Sequence, residues 1–344
     1  MTTSPMLQKA SPPTLREAPA AREASVKHAE ALALYRKLLL VRRAEEKIRE
    51  EYPTNDMKTP VHLGIGGEAI AVGVCHAAPP GARAFGTYRN HAWYLAMTGE
   101  TDRFFGELYG KAIGAAKGKA GSMHLAAPQH GLIATSAVVA TTIPLAVGAA
   151  LAHQYRDEPT LVVSFFGDGA VEEGAFWESL NFACLKRLRI LFVCEDNDLA
   201  IHIPTSQRQG FRSIPDVVRG FRCHVMSGAG YDLRTVMTSA HTLLERMETD
   251  PRPGFLHLTY FRFLEHVGPL EDFHAGYRQK PSPDELARLD PVRRFEQALR
   301  EDGVTDHELE ALRLSVDEQL TRSVRAAQQA PFASPAELST DVWA

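Results

Sequence analysis

The chain carries two hydrophobic periods. Between residues 27 and 51, Leu32, Leu34, Tyr35, Leu38, Leu39 and Val41 recur at roughly helical spacing, with Arg, Lys and Glu between them. That pattern predicts a long amphipathic helix. Unbroken apolar runs at 161–166 and 190–194 predict buried strands, and a helix-like segment, 174–187, joins them. Within 62–76, Gly66-Gly67-Glu68 opens an Ala/Val helix. Further helices are expected over 101–109, 141–155, 284–300 and 307–329. Pro144 lies near the start of its helix, where proline is tolerated. Residues 85–91 read as a strand end and loop, 114–124 as a Gly/Lys-rich loop, and 255–263 as a strand running into Leu264-Glu265-His266-Val267-Gly268-Pro269. Strands alternating with helices predict an α/β fold, a mostly parallel sheet flanked by helices. No internal repeat or low-complexity linker follows Ser25, so one domain is expected over 27–344. The Ala/Pro/Ser/Thr-rich stretch 1–26 reads as a mobile arm.

Composition narrows the field. The 344 residues suffice for one large α/β domain or two small ones. A formal charge of -4 argues against general nucleic-acid binding. Cys75, Cys184, Cys194 and Cys223 have no metal or redox spacing, and Cys184 and Cys194 lie in apolar runs as expected of buried thiols. Charged, His or Gly residues interrupt every apolar stretch before it reaches spanning length, and the N-terminal stretch lacks the apolar core of a signal peptide. A cytoplasmic protein without membrane partners is the expectation.

The candidate chemistry sits at strand ends. Gly167-Asp168-Gly169 follows one apolar run and Asp196-Asn197 follows the next. They lie about 30 residues apart, the length of one βαβ unit. Asp-Gly alone is a common turn, and two capped turns are the plain reading. At adjacent carboxyl ends of an open sheet, however, a carboxylate and an amide can share a hard cation such as Mg²⁺, commonly with a phosphate. Gly169 lets the backbone approach that phosphate, beside a helix N-terminus. In Tyr88-Arg89-Asn90-His91, the arginine could clamp a diphosphate or form a surface salt bridge. His28, His241 and His257 read as structural or exposed. His266, beyond a strand end, is a minority candidate for function. Lys117-Gly118-Lys119-Ala120-Gly121 lacks the strand and helix of a P-loop and reads as a flexible surface loop. Glu172 and Glu173 read as a helix start.

Together these segments resemble a known family, the α subunits of thiamine-diphosphate-dependent 2-oxo acid dehydrogenases, the E1 components that include pyruvate, branched-chain and acetoin dehydrogenases. The resemblance runs from Tyr35-Arg36-Lys37-Leu38-Leu39-Leu40 through His62-Leu63-Gly64-Ile65-Gly66-Gly67-Glu68-Ala69, Tyr88-Arg89-Asn90-His91 and Gly118-Lys119-Ala120-Gly121-Ser122-Met123-His124. It continues through Ile143-Pro144-Leu145-Ala146-Val147-Gly148, and Gly167-Asp168-Gly169-Ala170 with Cys194-Glu195-Asp196-Asn197 completes the cofactor signature. Ala200-Ile201 and Pro204-Thr205-Ser206 look most like branched-chain members.

The resemblance implies a thiamine-diphosphate-binding fold and a set of roles. The side chains of Asp168 and Asn197, with the Leu199 carbonyl, would bind Mg²⁺. Gly169 and Ala170 would meet the diphosphate through backbone N–H groups, with Tyr88, Arg89 and Arg262 opposite. Ala137 and Val139 would meet the aminopyrimidine, Ile201 would be the apolar wedge that bends the cofactor, and His62 would lie close by. His266 would stand near the reacting carbon and act on protons, supported by His91. The family decarboxylates a 2-oxo acid and passes the resulting enamine to an acceptor, usually a lipoyl group on an acyltransferase. A glutamate on a separate β subunit starts that chemistry, so a heterotetramer of two α and two β chains is implied.

Several positions depart from the family pattern. Asp196 replaces the usual Asn, which either strengthens a cation site or alters a supporting bond. Leu199 replaces a tyrosine that lends only its carbonyl. Ala137-Val138-Val139-Ala140 replaces a Gly-rich loop, and Ser136, Thr141 and Thr142 weakly match a monovalent-cation site. Val267 stands where regulated animal members carry a phosphorylated serine, so kinase control there is not expected. Glu265-His266-Val267-Gly268-Pro269 with Gly276-Tyr277-Arg278 suggests a separate branch, one that need not work in a standard dehydrogenase complex. The competing readings are a thiamine-diphosphate-dependent carboligase or split transketolase-like subunit in biosynthesis, and a non-catalytic scaffold. The sequence names neither the 2-oxo acid nor the acceptor.

Overall fold

The computed structural model describes residues 28–341, so the arm expected over 1–26 lies outside the described residues. In chain order the elements are α1 (His28–Glu51), α2 (Glu68–Ala77), β1 (Arg83–Thr87), α3 (His91–Thr98), α4 (Thr101–Leu108), β2 (Leu132–Ser136), α5 (Thr142–Tyr155) and β3 (Val162–Gly167). Then follow α6 (Gly174–Lys186), β4 (Ile190–Asp196), the two-residue strands β5 (Leu199–Ala200) and β6 (Ile203–Pro204), α7 (Ile214–Val218), β7 (His224–Ala229), α8 (Leu233–Thr249) and β8 (Gly254–Thr259). The chain continues through α9 (Pro283–Leu289), α10 (Pro291–Glu301) and α11 (Asp306–Gln329).

Six strands form one sheet in the order β2-β1-β3-β4-β8-β7. Every pairing in it is parallel. The apolar runs are continuous because both faces are covered. Val163, Phe165, Leu191, Val193, Leu256 and Leu258 face a core shared with α1, α2 and α8. Their neighbours Val162, Phe166, Ile190, Phe192 and Phe255 face a second core with α5 and α6. The expected α/β class, with a parallel sheet between helix layers, is therefore the observed one.

Two boundaries differ from the expectation. The helix expected over 284–300 is two helices, because Pro291 cannot continue α9 and disfavours a helical residue before it. Asp290 instead starts α10, accepting hydrogen bonds from the N–H groups of Val292 at 2.9 Å and Arg293 at 3.2 Å. The strand expected over 255–263 ends at Thr259, after which the chain leaves the sheet toward the site. Elements α3, β2, β7 and α8 are additional to those the sequence pattern predicts. The Gly/Lys-rich loop is organised by a buried acid: Glu107 accepts from the N–H groups of Ala116, Gly118, Ala120 and Gly121 at 2.7–2.9 Å. Those donors are consumed within the protein, which argues against a phosphate cradle there.

A parallel sheet puts all strand carboxyl ends on one edge. From β1 the chain proceeds to β2 on one side and then to β3 on the other, so strand order reverses between β1 and β3. Ligands in open α/β sheets bind at such a reversal. Tyr88-Arg89 follows β1, Asp168-Gly169 follows β3, and Asn197 follows β4.

Candidate active site

Asp168 is the first residue beyond β3 and is 1% exposed. Burial, then the nearby Asp196 charge, push its carboxyl up to about 7, against the opposing pull of Arg208. Arg208, just after the β5–β6 hairpin, hydrogen-bonds both Asp168 and Glu172. The sequence had not singled out Arg208, since nothing in its local pattern ties it to a residue on another loop.

Asn197 donates from Nδ2 to the Tyr260 hydroxyl at 3.1 Å. Its Oδ1 is buried and has no partner. A buried acceptor without a donor is costly, and such an atom beside a buried carboxylate matches what a cation needs. Among the described residues no group of three or more His, Cys, Asp or Glu side chains could hold a metal. A cation here would need phosphate oxygens as well, the usual arrangement for Mg²⁺. Leu199 and Ile201 lie on the β5–β6 hairpin, entered through Asp198 in the left-handed region at φ 67°. Ile201 is also left-handed, at φ 55°, and is 54% exposed, presenting its side chain at the edge of the site. Gly169 lies against Ala200, where an added Cβ would come within 3.0 Å of the alanine Cβ.

The other wall is aromatic and cationic. The rings of His62 and Tyr88 lie 4.4 Å apart, those of His62 and His266 5.2 Å, and those of Tyr88 and His266 5.7 Å. Arg89 donates to the Leu63 carbonyl and, at 3.2 Å, to the His266 carbonyl. Burial, followed by the Arg89 charge, lowers both His62 and His266 to about 3, so both are neutral at physiological pH. The buried Nδ1 of His62 has no partner. His91 is fully buried, 3.1 Å from Glu45 and 2.7 Å from the Ser122 hydroxyl through its two ring nitrogens. That geometry suits a support and leaves neither ring nitrogen facing the cleft. Arg262, 1% exposed, spends its donors on the carbonyls of Leu264 and Ile201, the Tyr277 hydroxyl and Asp272. Asp272 also binds Arg278 at 2.5 Å, so the segment carrying His266 is tied down by a buried network. Ala137 and Val139 follow β2, where Val138 and Val139 are 62% and 42% exposed and Ala140 is left-handed at φ 63°.

The sequence-expected residues thus converge on the carboxyl edge of the sheet, with His91 and Arg262 behind them. A neutral imidazole pair, a guanidinium and an Asp/Asn pair, its Asp168 ion-paired with Arg208, are groups of the kind that hold an anionic diphosphate with its cation and move protons near it.

Comparison with known proteins gives this arrangement a context. The family model described as "Dehydrogenase E1 component" matches residues 36–336. The chain is 31% identical over 321 residues to the α subunit of an acetoin:2,6-dichlorophenolindophenol oxidoreductase of Bacillus subtilis, covering 93% of this chain and 95% of that one. It is 30% identical over 315 residues to a pyruvate dehydrogenase E1 component subunit alpha of Zymomonas mobilis, covering 91% and 88%. This chain belongs to the dehydrogenase E1 component family. It is an α-type, thiamine-diphosphate-dependent oxidoreductase subunit acting on 2-oxo acids. As an α chain it implies a β partner. Among the described residues no helix is long and apolar enough to cross a membrane.

Proposed function

We propose that this chain, as one domain over 27–344, binds Mg²⁺ and thiamine diphosphate at the β1–β3–β4 edge. In this reading it decarboxylates a 2-oxo acid in a cytoplasmic heterotetramer of two α and two β chains. The observation that carries the metal assignment is the unpartnered Oδ1 of Asn197 at the end of β4, next to the β3 end that carries buried Asp168. Asp168 and Asn197 hold the cation with the Leu199 carbonyl. Gly169 and Ala170 offer backbone N–H groups to the diphosphate. Tyr88 and Arg89 face it from the other wall, and Arg262 orders the loop between them. Ala137, Val139 and Ile201 cover the organic part of the cofactor, beside His62. Bound there, thiamine diphosphate supplies an electron sink for the bond that breaks as CO₂ leaves.

The protein's own contribution is positioning and proton control. A neutral His266 imidazole has one N–H to donate and one nitrogen to accept, so it can move a proton at the reacting centre without carrying charge there. His91 supports this wall from behind through Glu45 and Ser122. The exposed apolar pair Val138 and Val139 suits cover by a second chain, which supports a site shared with β. A lipoyl group on an acyltransferase is the acceptor this reading favours. The test is calorimetry on the α–β complex. Asp168→Ala should abolish Mg²⁺-dependent thiamine diphosphate binding, and unchanged affinity would refute the assignment.

A further inference from the structure

The residue before Asn197 is an acid, and its carboxylate is committed elsewhere. Strands β4 and β8 pair with Cys194 opposite His257 and Asp196 opposite Thr259. Asp196 and His257 are therefore diagonal neighbours on one face of the sheet. Asp196 Oδ2 lies 2.7 Å from His257 Nε2, and Oδ1 accepts from the Asp198 N–H at 2.8 Å. The Asp196 carbonyl accepts from the Tyr260 N–H at 2.9 Å. Each carboxylate oxygen thus has a protein donor, whereas Asn197 Oδ1 has none.

We propose that Asp196 and His257 are positioning residues that set Asn197 and the Leu199 carbonyl for the cation, and that Asp196 is not a cation ligand. The proposal rests on the Mg²⁺ reading of the site above. Strand β8 and its exit grip the loop through both side chains: His257 holds the Asp196 carboxylate, and the Tyr260 hydroxyl holds the Asn197 amide. The Asp196–Asp198 bond shapes the left-handed turn at Asp198. Asp198 in turn accepts from the N–H of Thr205 at 3.3 Å and from its hydroxyl, which closes the hairpin carrying Leu199. One chain of hydrogen bonds therefore runs from the sheet to both proposed ligands.

This arrangement needs hydrogen-bonding shape at position 196 more than charge. An asparagine keeps a carbonyl for the Asp198 N–H and an NH₂ that can donate to a ring nitrogen of His257. An alanine keeps neither. The supports of metal ligands typically change affinity about 10–100-fold when removed.

The experiment measures Mg²⁺ affinity by calorimetry, at fixed thiamine diphosphate, on the α–β complex. Asp196→Ala should weaken Mg²⁺ binding about tenfold or more, and Asp196→Asn should restore it to within about twofold of the natural chain. His257→Leu should match the alanine variant and His257→Gln should recover part of the loss. The histidine pair carries the test if Asp196→Ala fails to fold. Turnover at saturating Mg²⁺ should fall less than the affinity does. An Asp196→Asn variant as weak as Asp196→Ala would show that the carboxylate charge itself is required, and would overturn the proposal. So would unchanged affinity in Asp196→Ala or His257→Leu. Asp168→Asn separates the two readings. If it leaves Mg²⁺ affinity unchanged, the metal site fails and this proposal with it; if it abolishes binding while Asp196→Ala is unaffected, only the positioning pair fails.

Discussion

Two neighbouring acids, Asp168 and Asp196, meet opposite fates. Burial raises both, but the His257 hydrogen bond and charge more than offset it at Asp196, leaving that carboxyl below its ordinary range. Asp168 stays raised, so a cation there relieves an unfavourable charge. The apolar runs in the sequence predict the strand-end positions of Asp168 and Asn197, and the structure has them there. The Asp196–His257 contact is invisible in the sequence, because the two lie 61 residues apart and meet only through strand register. The same holds for Arg208, 40 residues from Asp168. His266→Ala should leave cofactor affinity within about twofold and lower turnover by about 10²–10⁴, the range for one general acid–base group. Single-turnover kinetics beside calorimetry would check this, and normal turnover would remove His266 from the chemistry. His62 adds a pH effect with a definite sign. Its folded value is lowered to about 3, so below about 6.5 the unfolded chain binds the extra proton and stability falls. Above pH 7 the term is absent. Relative to the natural chain, His62→Asn should lose about 1 kcal/mol less stability between pH 7.5 and 5, after discounting for solvent screening. Denaturant melts at the two pH values would show it, and parallel losses would contradict it.

At the scale of elements, periodicity located the long helices and the central strands. It failed where capping chemistry or edge placement decides. The break between α9 and α10 depends on Asp290, which caps α10 and binds Arg42 at 3.0 and 3.1 Å. Arg42 also binds Glu68 at 2.5 Å, linking α1, α2 and α10 through a buried cluster. Asp290→Ala removes a cap and leaves Arg42 short of a partner, so a loss of about 3 kcal/mol is expected. The melting temperature of the complex should fall by several degrees, and an unchanged value would contradict the role of the cluster. Edge strand β7, a half-buried His-Val-Met-Ser-Gly-Ala, has too few apolar residues to stand out in the sequence. The Gly66 turn is set by close approach. At φ 107° an added Cβ would meet the Phe261 carbonyl at 2.0 Å, so that turn and the exit of β8 must pack backbone to backbone. Gly66→Ala should therefore disturb His62 and Arg262 together, seen as lowered solubility or melting temperature; a fully stable variant would contradict the contact.

For the molecule as a whole, the sheet order turns separate motifs into one site. Tyr88-Arg89, Asp168-Gly169 and Asn197 are far apart in sequence and meet because β1, β3 and β4 are adjacent and parallel. The α/β class was legible from alternating strands and helices, and the family from its motifs. The strand order, the two helix layers and the buried network behind His266 depend on long-range pairing, which no local pattern carries. In the proposed reading this chain, joined by β, decarboxylates a 2-oxo acid at that edge. The most direct measurement co-expresses it with its β partner and follows reduction of an artificial electron acceptor by pyruvate and branched-chain 2-oxo acids. Turnover should require both thiamine diphosphate and Mg²⁺ and disappear in Asp168→Ala. A properly assembled, cofactor-loaded complex that turns over none of these acids would contradict that reading.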